Sequence, residues 1–309
     1  MRSPEPVPYQ KSWIGWAAIS IISVIGAGNF VTSRYGIKAN ISANDMTALR
    51  YGIAGILLLP LLWRQGMWNL AGIGLRRGII LTFLAGAPFS LLMLWGLQFA
   101  PAAHGAVLIP GSIPIFTAIG LWLTAGVRVS PPKFVAFLSV FAGLVLVSGF
   151  SGARSPEILF GDMLFLIAGA AWSTYTIVLR RWQLDALRIT SVVSVLSLGF
   201  LPIYFFLLGP DLGTATFKLI AFIGIYQGVL LSIVALILYS VSVRHIGPQR
   251  TALGNSMVPV MAALMAVPVL GEIPSFIQWI GIGCVVAGVV SASMMRDIVP
   301  ILHDKTGVT

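Results

Sequence analysis

Ten apolar runs, divided by short polar turns, occupy almost the whole chain: about 12–34, 43–63, 78–99, 102–126, 132–150, 160–179, 189–209, 217–243, 249–271 and 274–295. A helix crosses a bilayer core with about 20 apolar residues, so each run predicts a membrane-spanning α-helix. The first is too long for a signal-peptide core and nine others follow it, so it counts as a true span. Short turns leave no room for an inserted soluble domain. Residues 1–11 and 297–309 read as polar tails, and 151–157 (SGARSPE) as the boundary between two halves, 12–150 and 158–296.

The two halves echo each other. Moved on by 145 positions, Pro114 falls on Pro259, Gly126 on Gly271, and Ala142-Gly143 on Ala287-Gly288. A fixed register of that length marks a duplication. Composition agrees with the membrane reading: 58% of residues are apolar and 9% charged, against roughly 25% charged in soluble domains. The net charge of +10 is therefore read as Lys and Arg retained on the cytoplasmic side rather than as a nucleic-acid surface. With the N-terminus inside, inner segments hold fourteen Lys and Arg and outer segments four (Arg34, Lys38, Arg154, Lys218), with Arg50 inside the second span. Both termini are thus expected in the cytoplasm. Five spans per half is odd, so the halves insert in opposite directions. Such an inverted-topology repeat is the architecture of alternating-access carriers.

Several stretches resemble the EamA-type branch of the drug/metabolite transporter superfamily. The first span carries Gly28, Asn29, Phe30 and Arg34, with Gly26 where that family usually has Trp. Its echo in the second half holds Trp172, Tyr175 and Arg180. The second span has the family's Arg at Arg50. Pro259, Leu270-Gly271-Glu272, Gln278, Gly281 and Gly288 follow its C-terminal pattern, while Ala125-Gly126-Val127 departs from it in the first half. The resemblance implies a ten-helix basket, with a central cavity lined by the first four helices of each half and the fifth and tenth helices peripheral. It also implies export of amino acids, aromatic ones included, or of drugs and metabolites, and within the family the chain is most similar to bacterial aromatic amino-acid and paraquat exporters. The expected location is the bacterial inner membrane, the expected partners a small-molecule substrate and lipid, as monomer or homodimer, with no nucleic acid. No cofactor or metal is called for, and the lone Cys284 excludes a disulfide framework.

Candidate site residues follow from chemistry at membrane depth. Asn29, Gln227, Thr176 and Asn255 are polar groups within spans, either helix glue or hydrogen-bond partners of a zwitterionic substrate; Ser112 and Ser173 are similar. Phe30, Phe83, Trp95, Trp172, Tyr175 and Tyr239 supply aromatic surface, with Trp172 and Tyr175 on one helix face. Trp13, Trp16, Trp63 and Trp279 read as interfacial anchors. Pro88, Pro110, Pro114 and Pro259 are packing kinks or gate hinges, since each removes a backbone donor. His104, Asp45 and Asp162 are the coupling candidates, although the two carboxylates read equally as helix caps. Arg50 is expected to snorkel towards Asp45 or a lipid phosphate, with a substrate carboxylate as the other reading. Small residues Ser139/Gly143 and Gly283/Ala287/Ser291 predict close helix approach, between the halves or in a dimer.

Other classes fit less well. There is no His-Glu-x-x-His, no Gly-x-Ser-x-Gly and no P-loop, which leaves an intramembrane enzyme or an ATP-driven pump without its chemistry. A facilitative exporter of amino acids is the expected function, with a proton-coupled drug or cation efflux carrier as the alternative.

Overall fold

The computed structural model describes residues 12–126, 129–147, 155–182, 184–212 and 215–295. The expected tails, most of the linker and His303 lie outside them. Ten spans are present. α1 is Ser12–Lys38 and α2 is Ala43–Gly66; α3 is built from Leu75–Ala85 and Ala87–Phe99; α4 is Ala102–Ala125, α5 Pro131–Val147 and α6 Pro156–Trp182. α7 starts as Ala186–Leu196 and runs on through irregular turns to Leu208; α8 starts at Phe217; α9 is Val258–Leu270 and α10 is Phe276–Met294. Seven spans are long and apolar enough to cross a membrane, and Pro131–Val147, Val258–Leu270 and Phe276–Ala292 are shorter apolar helices. The chain is an all-α, multi-pass membrane protein.

Local chemistry sets the boundaries. Ser42 and Asp45 form a reciprocal capping box at the start of α2, and Ser275 with Gln278 does the same for α10, satisfying amides that no helix turn reaches. α4 and α9 end identically: Gly126 (φ 63°, ψ 15°) and Gly271 (φ 68°, ψ 15°) adopt the left-handed turn that glycine accommodates without a Cβ clash. These are the two glycines paired by the sequence repeat.

Three spans are less regular than their hydropathy predicts. α3 breaks at Gly86, where a Cβ would meet Thr82 O at 2.4 Å and Ser197 Oγ at 2.5 Å. The freed Ala87 amide donates to that Ser197 hydroxyl at 3.2 Å, so a neighbouring span satisfies the backbone that hydrocarbon cannot. In α7, Pro202 has no N–H for the Leu198 carbonyl, and the helix tightens over Ser197–Gly199 and widens over Tyr204–Leu208. α8 widens again over Tyr226–Val234, where Ser232 Oγ donates to Gln227 O five residues back. The helix Ala235–Asn255 then doubles back. Ser242 Oγ and Thr251 Oγ1 lie 2.9 Å apart, although nine residues of straight helix rise about 13.5 Å. The return leg leads into α9, which is why the ninth apolar run starts before its own helix.

The pairing of spans displays the inverted repeat. α1 packs on α8 and α9, while its counterpart α6 packs on α3 and α4; α2 pairs with α7, and α5 with α10. Every one of these contacts joins one half to the other. At the α5–α10 seam a Cβ on Gly143 would lie 2.5 Å from Gly281 O, and one on Gly281 would lie 2.8 Å from Gly143 O. Ser139 Oγ donates to Cys284 O at 3.0 Å across the same seam. Ser139 and Gly143 therefore join the halves, but the facing stripe on α10 is Gly281/Gly288 rather than Gly283/Ala287/Ser291. Nothing lies within 4 Å of a Cβ placed on Gly283. Of the expected anchors, Trp13 and Trp63 are well exposed and Trp16 less so, whereas Trp279 packs against the main core.

Gly143→Ala should destabilise the protein by about 1–3 kcal/mol, the usual cost of overpacking a tight seam. Gly283→Ala should be neutral or stabilising, gaining up to about 1 kcal/mol of helix propensity. Thermal unfolding in detergent compares the two.

Candidate functional site

Two groups of side chains stand out, one in mid-span and one at the end of the bundle formed by the α1–α2 and α9–α10 turns. In mid-span, Asn29 of α1 is buried; its Nδ2 reaches Met93 Sδ of α3 at 3.6 Å and its Oδ1 has no partner among the described residues. One turn along, buried Ser33 accepts a 2.6 Å hydrogen bond from Gln227 Nε2 of α8, and Gln227 Oε1 is likewise unpartnered. Ser90, one turn before Met93 on α3, is buried with an unpartnered hydroxyl. Buried polar atoms are nearly always bonded. Three exceptions on spans α1, α3 and α8 make this the polar focus of the interior.

The wide turn of α8 is what delivers Gln227. Its neighbour Tyr226 donates to Ile25 O at 2.8 Å, and a Cβ on Gly28 would sit 2.2 Å from that Tyr226 oxygen. Gly28 therefore has to be glycine for α8 to approach α1 so closely.

An aromatic row lies alongside. Phe89 of α3 meets Trp172 of α6 with centroids 5.0 Å apart, and Trp172 meets Tyr175 at 5.2 Å. Both rings of α6 are half-buried. Thr176 spends its hydroxyl proton on Trp172 O at 2.9 Å. The other candidates scatter. Phe30 is buried in the core against Gly105 of α4; Phe83, Trp95 and Tyr239 are exposed, as is Asn255 at the end of its helix. Pro110 and Pro114 lie inside α4, but Pro88 and Pro259 occupy first turns, where a missing amide costs little.

At the end of the bundle, Glu272 ties the halves together. Its Oε1 accepts from Arg34 Nε and Lys38 Nζ, each at 3.1 Å, and its Oε2 from the Ala102 amide at 3.0 Å. Arg34 also donates to the carbonyls of Leu97 and Gln98, and Lys38 to Leu270 O. One carboxylate thus links α1, the start of α4 and the α9–α10 turn. Burial alone would raise the Glu272 pKa, but the Ala102 amide and the two cations outweigh it and hold the carboxyl below its ordinary 4.5.

His104 and Asp162 meet at the same end, Nδ1 to Oδ1 at 2.8 Å, both buried. Gln278 completes the cluster. Its Oε1 accepts from Ser275 N at 2.8 Å and its Nε2 donates to Val147 O at 3.2 Å, so that orientation brings its N–H₂ to His104 Nε2 at 3.0 Å. His104 is thus held at both ring nitrogens, by Asp162 at Nδ1 and by Gln278 at Nε2. Asp162 is thus no helix cap. Asp45 is one: Ser42 occupies its Oδ2, and Tyr204 and the Asp211 amide occupy its Oδ1. With both oxygens filled, Asp45 does not pair with Arg50.

Spans built for helix-end ties and an aromatic, partly unsatisfied interior fit a carrier, and comparison decides which. The sequence matches the EamA-like transporter family over residues 12–149 and again over 159–294. The chain belongs to the EamA-like transporter family. It is similar to an uncharacterized transporter of Archaeoglobus fulgidus, 26% identical over 88% of this chain and 94% of the relative. It is also similar to YetK, an uncharacterized transporter of Bacillus subtilis, at 25% over 84% and 82%. YedA of Escherichia coli, described as an uncharacterized inner membrane transporter, is 23% identical over 92% of each chain. A solved crystal structure shares the fold at a TM-score of 0.59, with 19% identity over 92% of this chain and 96% of its own. The protein is a membrane transporter with two EamA repeats and not an enzyme.

Sequence reasoning assigned no role to Arg34, Lys38, Glu272 or Gln278 in this EamA-like protein. Three of them stood in the motifs that carry the resemblance, but partners separated by 238 positions leave no local pattern.

Because the folded carboxyl of Glu272 titrates below its unfolded value, its contribution is present above pH 4.5 and is lost as pH falls through the lower folded value. The melting temperature of the wild type should drop across that acid window. Glu272→Gln should start lower at neutral pH and show a smaller acid step.

Proposed function

We propose that this chain is an alternating-access exporter of amino acids, aromatic and hydrophobic ones included, in the bacterial inner membrane with both termini cytoplasmic. The observation that carries the reading is the Phe89–Trp172–Tyr175 row beside buried Asn29 and Gln227, whose carbonyl oxygens lack partners. Rings tilted at about 45° and spaced about 5 Å apart favour a further aromatic or apolar side chain by about 0.5–1.5 kcal/mol per pair beyond simple burial. The free oxygens suit an ammonium group. Repeats 12–150 and 158–296, joined by 151–157, would rock against each other about this site. In that orientation the Arg34–Lys38–Glu272 tie lies on the outer side and closes it.

The carrier is read as facilitative. Asp45 is committed to its cap, and both ring nitrogens of His104 are engaged within the protein, by Asp162 and Gln278. The buried, unpartnered Asp162 Oδ2 is the observation that favours the second reading, a proton-coupled efflux carrier.

Counterflow of labelled phenylalanine or tryptophan in proteoliposomes, with and without an imposed pH gradient, tests both. Exchange that ignores the gradient is expected; gradient-driven accumulation would establish coupling, and no exchange by folded protein would reject the amino-acid claim. Trp172→Ala should raise the half-saturation concentration about tenfold, roughly the loss of one to two stacking contacts, while Trp172→Phe should recover most of it.

A further inference from the structure

Arg50 lies seven residues after the first residue of α2, about 10 Å along the axis, well inside the span. Met46 and Ala54, one turn to either side on the same face, are fully buried. Ile56 and Trp63, about 120° and 140° round the helix from Arg50, are 62% and 72% exposed. Leu57, about 20° round from Arg50, is 52% exposed, so half-buried Arg50 stands where the buried face of α2 borders its exposed one. Its Nε is buried without a partner, and among the described residues nothing accepts a hydrogen bond or ion pair from it. Its one neighbour of note is the Tyr51 ring, 5.3 Å from Cζ. A guanidinium is always charged and forked for a two-oxygen acceptor, and an ionisable group at this depth without a protein partner marks a functional site.

Neighbouring layers say what it faces. Gly36 of α1, Met46 of α2 and Ile223 of α8 meet at one level, since a Cβ on Gly36 would lie 2.8 Å from Ile223 Cδ1 and 3.0 Å from Met46 Sδ. One turn deeper from each brings Ser33, Arg50 and Gln227 to a common level. The seam holds there, because a Cβ on Gly228 would stand 3.3 Å from Arg50 O. Arg50 thus shares a layer with Gln227, whose Oε1 is buried and free. A cation and an acceptor oxygen at one level, neither with a partner among the described residues, match the two ends of a zwitterion.

We propose that Arg50 is the oxyanion subsite of the carrier, binding the carboxylate of the transported solute while Gln227 Oε1 faces its ammonium. This rests on the amino-acid reading above for the identity of the solute, but the anion site itself can be tested separately. The shared chemistry is an oxyanion, which a solute carboxylate or a lipid phosphate would supply.

The probe is phenylacetate, a carboxylate with no ammonium group, added to purified protein in neutral detergent and read by thermal stabilisation; phenethylamine, which has no carboxylate, is its counterpart. Phenylacetate should stabilise the wild type with an apparent affinity that Arg50→Gln weakens about tenfold or more, the usual size of a lost charge-assisted pair. Arg50→Lys, which keeps the charge but not the fork, should fall between them, and phenethylamine should not distinguish the variants. Equal stabilisation of wild type and Arg50→Gln, or none of the wild type, would overturn the proposal. So would an Arg50-dependent stabilisation produced by phosphatidylglycerol and not by phenylacetate, since that assigns Arg50 to lipid. Arg50-dependent phenylacetate binding without amino-acid counterflow would retain the subsite and reject the amino-acid reading.

Discussion

Helices surrounded by lipid gain nothing from hydrophobic exclusion against one another, so their association depends on close packing of backbones at small residues. The fold rests on that constraint. Gly143 and Gly281 each present the other's carbonyl with a contact that no side chain could share, and Gly96 of α3 and Gly161 of α6 repeat the arrangement. Both pairs join opposite halves. The duplication therefore does more than double the helix count: each half supplies the flat surfaces on which the other is seated, and neither has its full set of partners alone.

Against that apolar framework the polar groups divide by purpose. At the bundle end the carboxylates of Glu272 and Asp45 are saturated: Glu272 accepts from two cations and an amide, and Asp45 from a cap, a phenol and an amide, while Asp162 keeps one oxygen open. In mid-span open atoms are the rule. Asn29, Ser90, Gln227 and Arg50 each leave an atom without a partner among the described residues. Saturation holds helices in place, whereas unsatisfied groups at depth keep capacity for something that arrives and leaves.

Much of the fold was legible because lipid imposes one strong rule on sequence, a long apolar run for each crossing. The ten runs, the inverted repeat and its paired helix-stop glycines all follow from hydropathy and register. The breaks were not legible. Gly86 opens α3 because Ser197 from another span can take the freed amide, and the bend after Ser242 depends on tertiary seating. The seam on α10 uses Gly281 and Gly288 and not the Gly283 stripe, because spacing gives the period of a stripe and not its direction. Residue type and depth singled out Trp172, Tyr175, Asn29 and Gln227 as site candidates. Phe30 went to the core because an aromatic in a span packs or lines a cavity with the same sequence signature. Asp162 found His104 rather than a helix amide, and only the positions of α4 and α6 could reveal that.

The repeat is faithful in backbone and unfaithful in charge. Gly126 and Gly271 end their helices in the same conformation, yet Glu272 follows the second and Val127 the first. The carboxylate that clamps Arg34 and Lys38 thus has no counterpart at the symmetry-related register, and in the alternating-access carrier proposed above the two conformations would be unequal in energy. For passive exchange that inequality cannot set a direction, because the ratio of maximal rate to half-saturation must be the same for entry and exit. It does divide the two parameters unevenly, since a solute entering from the less populated side must also meet the cost of the conformational shift in its apparent affinity. In the carrier proposed above, one glutamate without a repeat counterpart would give the membrane protein a high-affinity face and a low-affinity face.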